Sequence, residues 1–484
     1  MNTTFKSLMP RVRFVAQARL SLLRGSPIPL VAGALGSLAA ILVMGILRLT
    51  WGVPSLPELV GERILPQLTV GQFVNLLTQF SPNSKTGPLS LALLGQFVLG
   101  VLLGPAYAFA ADAVGVREGR WPSRRAWRVI AIGVACEEVV ATALFWPVLF
   151  ANLYGLPIAQ GRLVTSFATL IIFAVFILVT ALANHWLWRA WGPFVAGRSG
   201  ARATVEDGET AQLTRRQALV ALGGVVLGLG LGAVAVQRLL AAYLARSTVY
   251  DGMKSPYLAS QATQITPNDK FYLVTKNVLD PSVEVGRWQL EVTGLVHTPR
   301  PFDYEQVRAL PSVTRAITLE CISNGVGGTL MSTALWQGIS LQQLLREVGG
   351  ALPTATRVIF YSVDGFTSSL PLADLLEARA LLAYEMNGVP LPDRHGYPLR
   401  VVTAGRYGEQ SPKWLTRIEL VDHDYKGFYQ SQGWSDRQVF TTSRIEQPLA
   451  NSTVSTGPQI LRGLAYAGIR GVQKVEVSTD SGST

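Results

Sequence analysis

Cys321 stands in the segment Thr318-Leu319-Glu320-Cys321-Ile322-Ser323-Asn324. The chain has only one other cysteine, Cys136, in a long apolar run that reads as a membrane helix. The two cannot easily meet, so no disulfide is expected. An unpaired thiol in an exported domain calls for a reason, such as a metal bond or a catalytic role. The plain alternative is a small buried apolar residue.

Four segments of the same half of the chain are dense in small, polar and aromatic residues. The first runs from Ile265 through Phe271 and Tyr272 to Thr275, Lys276 and Asn277. The second runs from Cys321 through Gly325-Val326-Gly327-Gly328 to Trp336-Gln337-Gly338. The third is His395-Gly396-Tyr397-Pro398-Leu399-Arg400, and the fourth is Gly405-Arg406-Tyr407-Gly408 with Ser411-Pro412-Lys413-Trp414. This inventory suits a large polar, anionic cofactor. Arg400 and Lys413 can neutralise a phosphate. Glycine-rich loops let backbone N–H groups approach oxygens. Cys321 offers a soft thiolate to a metal. Taken singly, each segment also reads as a turn between strands.

The elements that must position these residues follow from pattern. After about Tyr250, turn residues recur and apolar runs shorten. Val292–Val296, Val358–Tyr361, Val401–Val402 and Ile418–Val421 read as strands. Leu341–Val348 and Leu372–Ala380 read as short helices. There is no regular βαβ alternation and no GxGxxG, so a doubly wound dinucleotide fold is unsupported and an α+β domain is expected.

The first half is different. Of the 484 residues, 49% are hydrophobic and 15% charged, too apolar for an ordinary soluble protein. Five stretches reach the roughly 20 apolar residues that cross a bilayer: 26–47, 88–111, 129–153, 163–188 and 217–237. The net charge of +11 lies mostly there, with 19 Lys and Arg against nine acids in residues 1–237, which argues against nucleic acid as a partner. Fifteen basic residues fall before 26 and in loops 112–128 and 189–217, and four fall on the other side. By the positive-inside rule the N-terminus is cytoplasmic and the chain emerges outside after residue 237. A periplasmic or extracellular globular half is therefore expected. Phe73, Leu76, Leu77 and Phe80 form an apolar stripe on a short helix, expected to lie on the membrane surface.

Glu137 and Glu138 fall inside the third span and are candidates for proton or quinone chemistry, or are satisfied within the bundle. His185 is the only histidine of the membrane half, too few for a bis-histidine haem. CxxCH and cysteine clusters are missing, so neither covalent haem nor iron–sulfur is expected in this chain. Thr214-Arg215-Arg216-Gln217-Ala218-Leu219 resembles a twin-arginine export signal, with Ala218 where Phe is common, and reads equally as a positive-inside pair.

The four segments in their order (TLECISN, WQGISLQQLL, HGYPLR and YGEQSPKWL) resemble the molybdopterin-binding domain of the sulfite oxidase family, which includes the periplasmic methionine-sulfoxide reductase catalytic subunit. The resemblance covers about residues 255–484. It implies that Cys321 binds molybdenum, completed by the dithiolene of one molybdopterin and oxo or hydroxo groups. His395 and Arg400 match positions that hold the pterin or its phosphate. Ser411, Pro412 and Lys413 match the segment that wraps the cofactor, Phe271, Tyr272, Thr275 and Lys276 match its first loop, and Ser362 matches a further pterin contact.

Three positions depart from the sulfite oxidases. Val274-Thr275-Lys276 stands where they have Arg-Asn-His, Asn324-Gly325 where they have Asn-Arg, and Phe366 at their active-site tyrosine. Two cations and a phenol are missing, so a neutral or organic oxide is expected in place of sulfite. Segments 463–468 and 471–478 resemble the opening strands of the family's immunoglobulin-like second domain. The expected whole is a five-helix transmembrane region over 1–243, an oxidoreductase domain over 250–455 and a partial β segment over 456–484. Electrons would pass to a separate cytochrome or quinone. The rivals are a sulfite dehydrogenase, a tethered sensor that keeps the fold without turnover, and a transporter using Glu137 and Glu138.

Overall fold

The computed structural model describes residues 26–69, 71–72, 75, 79, 86–116, 122–152, 154–198, 215–245, 265–277, 279–325, 328, 330–448 and 451–483. The stripe Phe73, Leu76, Leu77 and Phe80 lies outside them, as do the basic N-terminal residues, Arg117, Arg120, Arg202 and Val326-Gly327. The chain divides into two compact units. One comprises Met1–Leu59, Thr86–Pro147 and Val164–Arg246; the other comprises Val60–Lys85, Val148–Leu163 and Ser247–Thr484.

The first unit is helical. Its helices are α1 (Ile28–Thr50), the start of α2 (Leu56–Ile64), α3 (Thr86–Ala113), α4 (Arg124–Phe145), most of α5 (Ile158–Arg198) and α6 (Arg215–Ala245). Small residues let α1 and α3 approach backbone to backbone. A Cβ on Gly33 would meet the Gly100 and Val101 carbonyls, and one on Gly104 would meet the Pro29 carbonyl. Such close crossings are the usual packing of helices in lipid. Four helices are long and apolar enough to cross a membrane: Ile28–Thr50, Gly87–Ala113, Ile158–Trp191 and Leu222–Leu239. Helix α4, the third expected span, is not among them. It carries Arg124, Arg125, Arg128, Glu137 and Glu138 and ends at Phe145, before Pro147, well short of the expected residue 153. Glu138 accepts from Thr169 Oγ1 at 3.0 Å and from Thr142 Oγ1 at 3.3 Å.

The second unit is α+β. Its strands are β1 (Leu290–Gly294), β2 (Arg300–Phe302), β3 (Val313–Glu320), β4 (Met331–Ser340), β5 (Arg357–Ser362), β6 (Thr367–Pro371), β7 (Leu381–Met386), β8 (Val389–Pro390), β9 (Arg400–Val402), β10 (Leu415–Val421), β11 (Thr442–Gln447) and β12 (Arg462–Tyr466). One five-stranded sheet has the order β2-β1-β10-β5-β6, with β1 and β10 parallel and every other pair antiparallel. The second sheet runs β3-β4-β7-β8, with β9 also paired to β7. Short helices α7 (Tyr304–Ala309), α8 (Leu341–Glu347), α9 (Leu372–Glu377) and α10 (Phe428–Ser431) complete it. Asp303 and Ser340 cap α7 and α8 by accepting from Gln306 N and Gln343 N, which fixes where these helices begin.

Each sheet has its own core. Trp288, Leu290, Val292, Phe302, Val358, Phe360, Ile418 and Leu420 pack the first. Phe271, Ile317, Leu319, Ala334, Trp336, Leu381 and Val402 pack the second. Burying each such side chain contributes about 2 kcal/mol.

Two boundaries differ from the sequence reading. Connectors 60–85 and 148–163, read as part of the membrane region, belong to the second unit. Near the C-terminus, β12 forms and pairs with β11, but 471–478 forms no strand among the described residues. A strand needs a ladder partner for its backbone groups, and no described strand pairs with 471–478.

Candidate active site

The long β3–β4 hairpin delivers Cys321. Its ladder ends at Glu320 opposite Met331, so Cys321 is the first residue beyond it. The Cys321 N–H donates to the Leu330 carbonyl at 2.9 Å and anchors the loop base. Asn324 closes the loop: its side chain donates to Glu320 Oε1 at 3.0 Å and accepts from Leu330 N at 3.0 Å. Cys321 Sγ lies 3.1 Å from Ser323 Oγ. Burial pushes the thiol up, and the Ser323 hydrogen bond acts against it.

Tyr272 joins this loop to the other segments. Its N–H donates to Ser332 Oγ at 3.1 Å on β4. Its phenol is pushed well up by burial, and Cys321, Arg400, Glu409 and Glu320 all act on it electrostatically. Phe271 stacks on Tyr272 with centroids 5.5 Å apart, and meets Trp336 and His395 edge-on at 5.5 Å each.

His395 ends a 3-10 turn and is buried. Its Nε2–H donates to the Asn268 carbonyl at 3.1 Å, which leaves Nδ1 as an acceptor. Burial, with Arg400 and Lys413 adding to it, holds the imidazole down at about 3, so it is neutral at pH 7.

Arg400 begins β9 and is 5% exposed. Its guanidinium donates to the His395 and Ser411 carbonyls, both at 3.0 Å, and lies 4.9 Å from the Trp336 ring centroid. Burial pulls it down only to about 10, so it stays a cation at pH 7. No carboxylate among the described residues lies within ion-pair distance of it. A buried cation bonded only to neutral carbonyls carries uncompensated charge, which an anionic group would relieve.

Ser411 holds this edge through its side chain and Pro412 through its carbonyl. Thr403 N donates to Ser411 Oγ at 3.1 Å and Val401 N to the Pro412 carbonyl at 2.9 Å. Lys413 Nζ donates to the Arg394 carbonyl at 3.0 Å and lies over Trp414. Ser362, at the end of β5, faces Leu415 in register. Its hydroxyl is fully buried and has no hydrogen-bond partner among the described residues.

Thr275 and Lys276 are placed differently. Thr275 Oγ1 accepts from Asn277 N at 3.2 Å. Lys276 Nζ is engaged by Glu62 and by the Asp364 carbonyl, the latter at 2.9 Å. The structure therefore gives its ammonium to two acidic residues.

Glu409 was missed by sequence reasoning. Both carboxylate oxygens are buried with no partner in another residue among the described ones, and burial pushes the group up to about 8 against the pull of its own backbone N–H. The available signal was an acid between Gly408 and Gln410, inside a segment otherwise suited to an anion. A Cβ on Gly408 would collide with the Tyr272 hydroxyl, so this turn and Tyr272 approach as closely as glycine permits.

Among the described residues, no three His, Cys, Asp or Glu side chains gather into an all-protein metal site. One thiolate can bind a metal only if a cofactor supplies most of the remaining ligands. The uncompensated Arg400, the unpaired Ser362 hydroxyl and the His395 Nδ1 acceptor fit a polar, anionic cofactor beside Cys321. A cleft of about 560 Å³ bordered by Pro157, Gln160, Arg287 and Tyr304 is lined by none of these residues.

The comparisons agree with that chemistry. The family described as "Oxidoreductase molybdopterin binding domain" matches residues 277–429. Mitochondrial sulfite oxidase of Rattus norvegicus is 34% identical over 264 residues, covering 46% of this chain and 48% of that protein. Sulfite oxidase of Arabidopsis thaliana is 29% identical over 276 residues, covering 47% and 70%. The uncharacterized oxidoreductase YuiH of Bacillus subtilis (strain 168) is 34% identical over 154 residues, covering 32% and 75%. Among solved structures, the sulfane dehydrogenase SoxCD from Paracoccus pantotrophus matches with a TM-score of 0.39 at 22% identity, covering 44% of this chain and 61% of that one. The chain spans 48% of the rat protein's length, about half. With a thiol, a buried cation and an anion-ready edge inside the matched domain, the chain belongs to the sulfite-oxidase-like family of molybdopterin-dependent oxidoreductases.

Proposed function

We propose that the protein is a membrane-anchored molybdenum enzyme that moves an oxygen atom between water and a small substrate in a two-electron reaction. The observation that carries this reading is the buried, uncompensated Arg400 guanidinium in the same cluster as the Cys321 thiol. When bound, the molybdenum–molybdopterin group supplies the two-electron oxygen chemistry. Cys321 is the metal ligand. Arg400, with Lys413, neutralises the cofactor phosphate, and His395 Nδ1 accepts a hydrogen bond from the pterin. Ser362 Oγ offers a further contact, and Tyr272, Ser411 and Pro412 line the cradle. Phe271, Thr275 and Lys276 support the first loop from behind, because Lys276 is already engaged by Glu62 and Asp364.

The substrate in this reading is a neutral or organic oxide, reduced by electrons from a separate cytochrome or quinone. Phe366 offers no phenol and Asn324-Gly325 no guanidinium to hold an anion. Sulfite is the second reading; two of the relatives are named sulfite oxidases. Helix α4 joins the four apolar helices as a fifth span, its two acids facing the bundle. The loop charges then put the N-terminus in the cytoplasm and the oxidoreductase domain outside.

The test is metal and pterin content of the full chain, produced with molybdenum cofactor synthesis intact. Wild type should carry one molybdenum and one pterin, and Cys321→Ser should lose turnover. A wild-type protein free of molybdenum would sink the enzyme reading. Cofactor bound without turnover of any oxide or of sulfite would favour a tethered sensor.

A further inference from the structure

Two connectors from the membrane region end at one turn of the oxidoreductase unit. The turn is Val363–Phe366, between β5 and β6. Glu62, on the part of α2 that belongs to this unit, forms an ion pair with Lys276; their side chains are 15% and 4% exposed. Lys276 Nζ in turn donates to the Asp364 carbonyl at 2.9 Å. The Asp364 carboxylate accepts from Phe366 N at 3.1 Å and from Asn277 Nδ2 at 2.8 Å. The Lys276 ammonium also lies 5.3 Å from the centroid of Phe428, whose ring meets Phe366 at 5.9 Å.

The second connector reaches the same turn independently. Asn152 N donates to the Val363 carbonyl at 2.8 Å. The Asn152 side chain makes its own loop rigid, accepting from the N–H groups of Tyr154, Gly155 and Leu156 at 3.1, 2.8 and 3.0 Å. Gly365 has φ +81°, and a Cβ there would lie 3.2 Å from Ala151 Cβ. The Pro66 carbonyl accepts from Ser431 Oγ at 3.1 Å, which ties the first connector to α10 as well.

The turn borders the candidate site on both sides. Ser362, with its unpaired buried hydroxyl, precedes it. Ser368, just after it, donates to Gln410 Oε1 at 2.9 Å, next to Glu409.

We propose that Glu62 is a positioning residue for the Cys321 site. Acting through Lys276 and Asp364, it fixes the turn that carries Phe366, and the oxidoreductase domain is complete only with both connectors. Without Glu62 the buried Lys276 ammonium keeps only the Asp364 carboxylate, 4.0 Å away, and the Asp364 carbonyl, so the turn should open locally before the domain unfolds. The effect on turnover rests on the function proposed above; the effect on the turn does not.

The test uses the full chain in detergent, with Glu62→Gln, Glu62→Lys and the charge-keeping Glu62→Asp. Hydrogen exchange of the 363–366 amides is read first. Glu62→Lys should speed it about tenfold, Glu62→Gln less and Glu62→Asp least. In cofactor-loaded enzyme Glu62→Gln and Glu62→Lys should raise KM while pterin content holds, and Glu62→Asp should stay near wild type. If Glu62→Gln folds and neither it nor Glu62→Lys changes exchange at the turn, the proposal fails. It also fails if exchange rises evenly over the domain in all three variants. Wild type without molybdenum would overturn the turnover half alone, with the exchange comparison still deciding the Glu62 contact.

Discussion

The guanidinium of Arg400 donates to the carbonyl of Ser411 at 3.0 Å from a position only 5% exposed. The same group donates to the His395 carbonyl, so one cation ties two motifs into a single wall. Arg400→Lys keeps the charge but loses the fork that spans both carbonyls. We expect a folded protein whose pterin content drops roughly tenfold, and Arg400→Ala to cost about 2–4 kcal/mol through two unsatisfied carbonyls. Pterin fluorescence after release, together with thermal unfolding, measures both.

His395 makes the cofactor-free domain acid-sensitive. Its folded value of about 3 lies below the unfolded 6.5, so between these the unfolded chain binds the extra proton. Stability from this residue is therefore full above about pH 6.5 and falls as pH drops towards 3, by on the order of a few kcal/mol. His395→Gln should flatten that part of the stability–pH curve. An unchanged acid limb in the variant would contradict the assignment.

Glu409 acts in the opposite direction. Its folded value of about 8 lies above the unfolded 4.5, so here the folded state holds the extra proton. Its contribution is full below about pH 4.5 and is lost as pH rises through 8. Glu409→Gln should leave cofactor-free stability at pH 4 nearly unchanged and raise it at pH 9 by on the order of a few kcal/mol. Denaturant titrations at the two pH values give the comparison.

Ser362→Ala separates binding from folding. The hydroxyl is buried and unpaired, so its removal should be neutral or stabilising by up to about 1 kcal/mol in cofactor-free protein. If Ser362 Oγ contacts the pterin, the same variant should release cofactor faster during gel filtration. Equal retention in wild type and variant would remove Ser362 from the cradle.

Much of the second unit was legible in the sequence. Apolar runs between turn residues placed β5, β9 and β10 to within a few positions, and Leu341–Val348 found α8. The β3–β4 hairpin was harder to read, because its Thr- and Ser-rich positions alternate weakly and the cue was spent on the Cys321 loop. Arg400 and Cys321 stood out as candidates by residue type, and His395 entered through the family resemblance. Lys276 was not, since a lysine beside a cofactor loop and a lysine in a buried ion pair look the same without their neighbours. Helix α4 reads as a span by length, while its five charges keep it apart from the four apolar helices and it ends before Pro147.

By itself the sequence determined the division into apolar helices and an α+β domain, and which thiol, imidazole and guanidinium groups are available to a cofactor. These depend on local period and side-chain chemistry, which a chain displays without folding. Only the tertiary structure decided that Glu62 meets Lys276, that both connectors belong to the catalytic unit, and that no other described residue partners the Glu409 carboxylate. Partners so far apart in the chain are chosen by packing and by the cost of leaving a buried charge unpaired, and neither is written in any one segment.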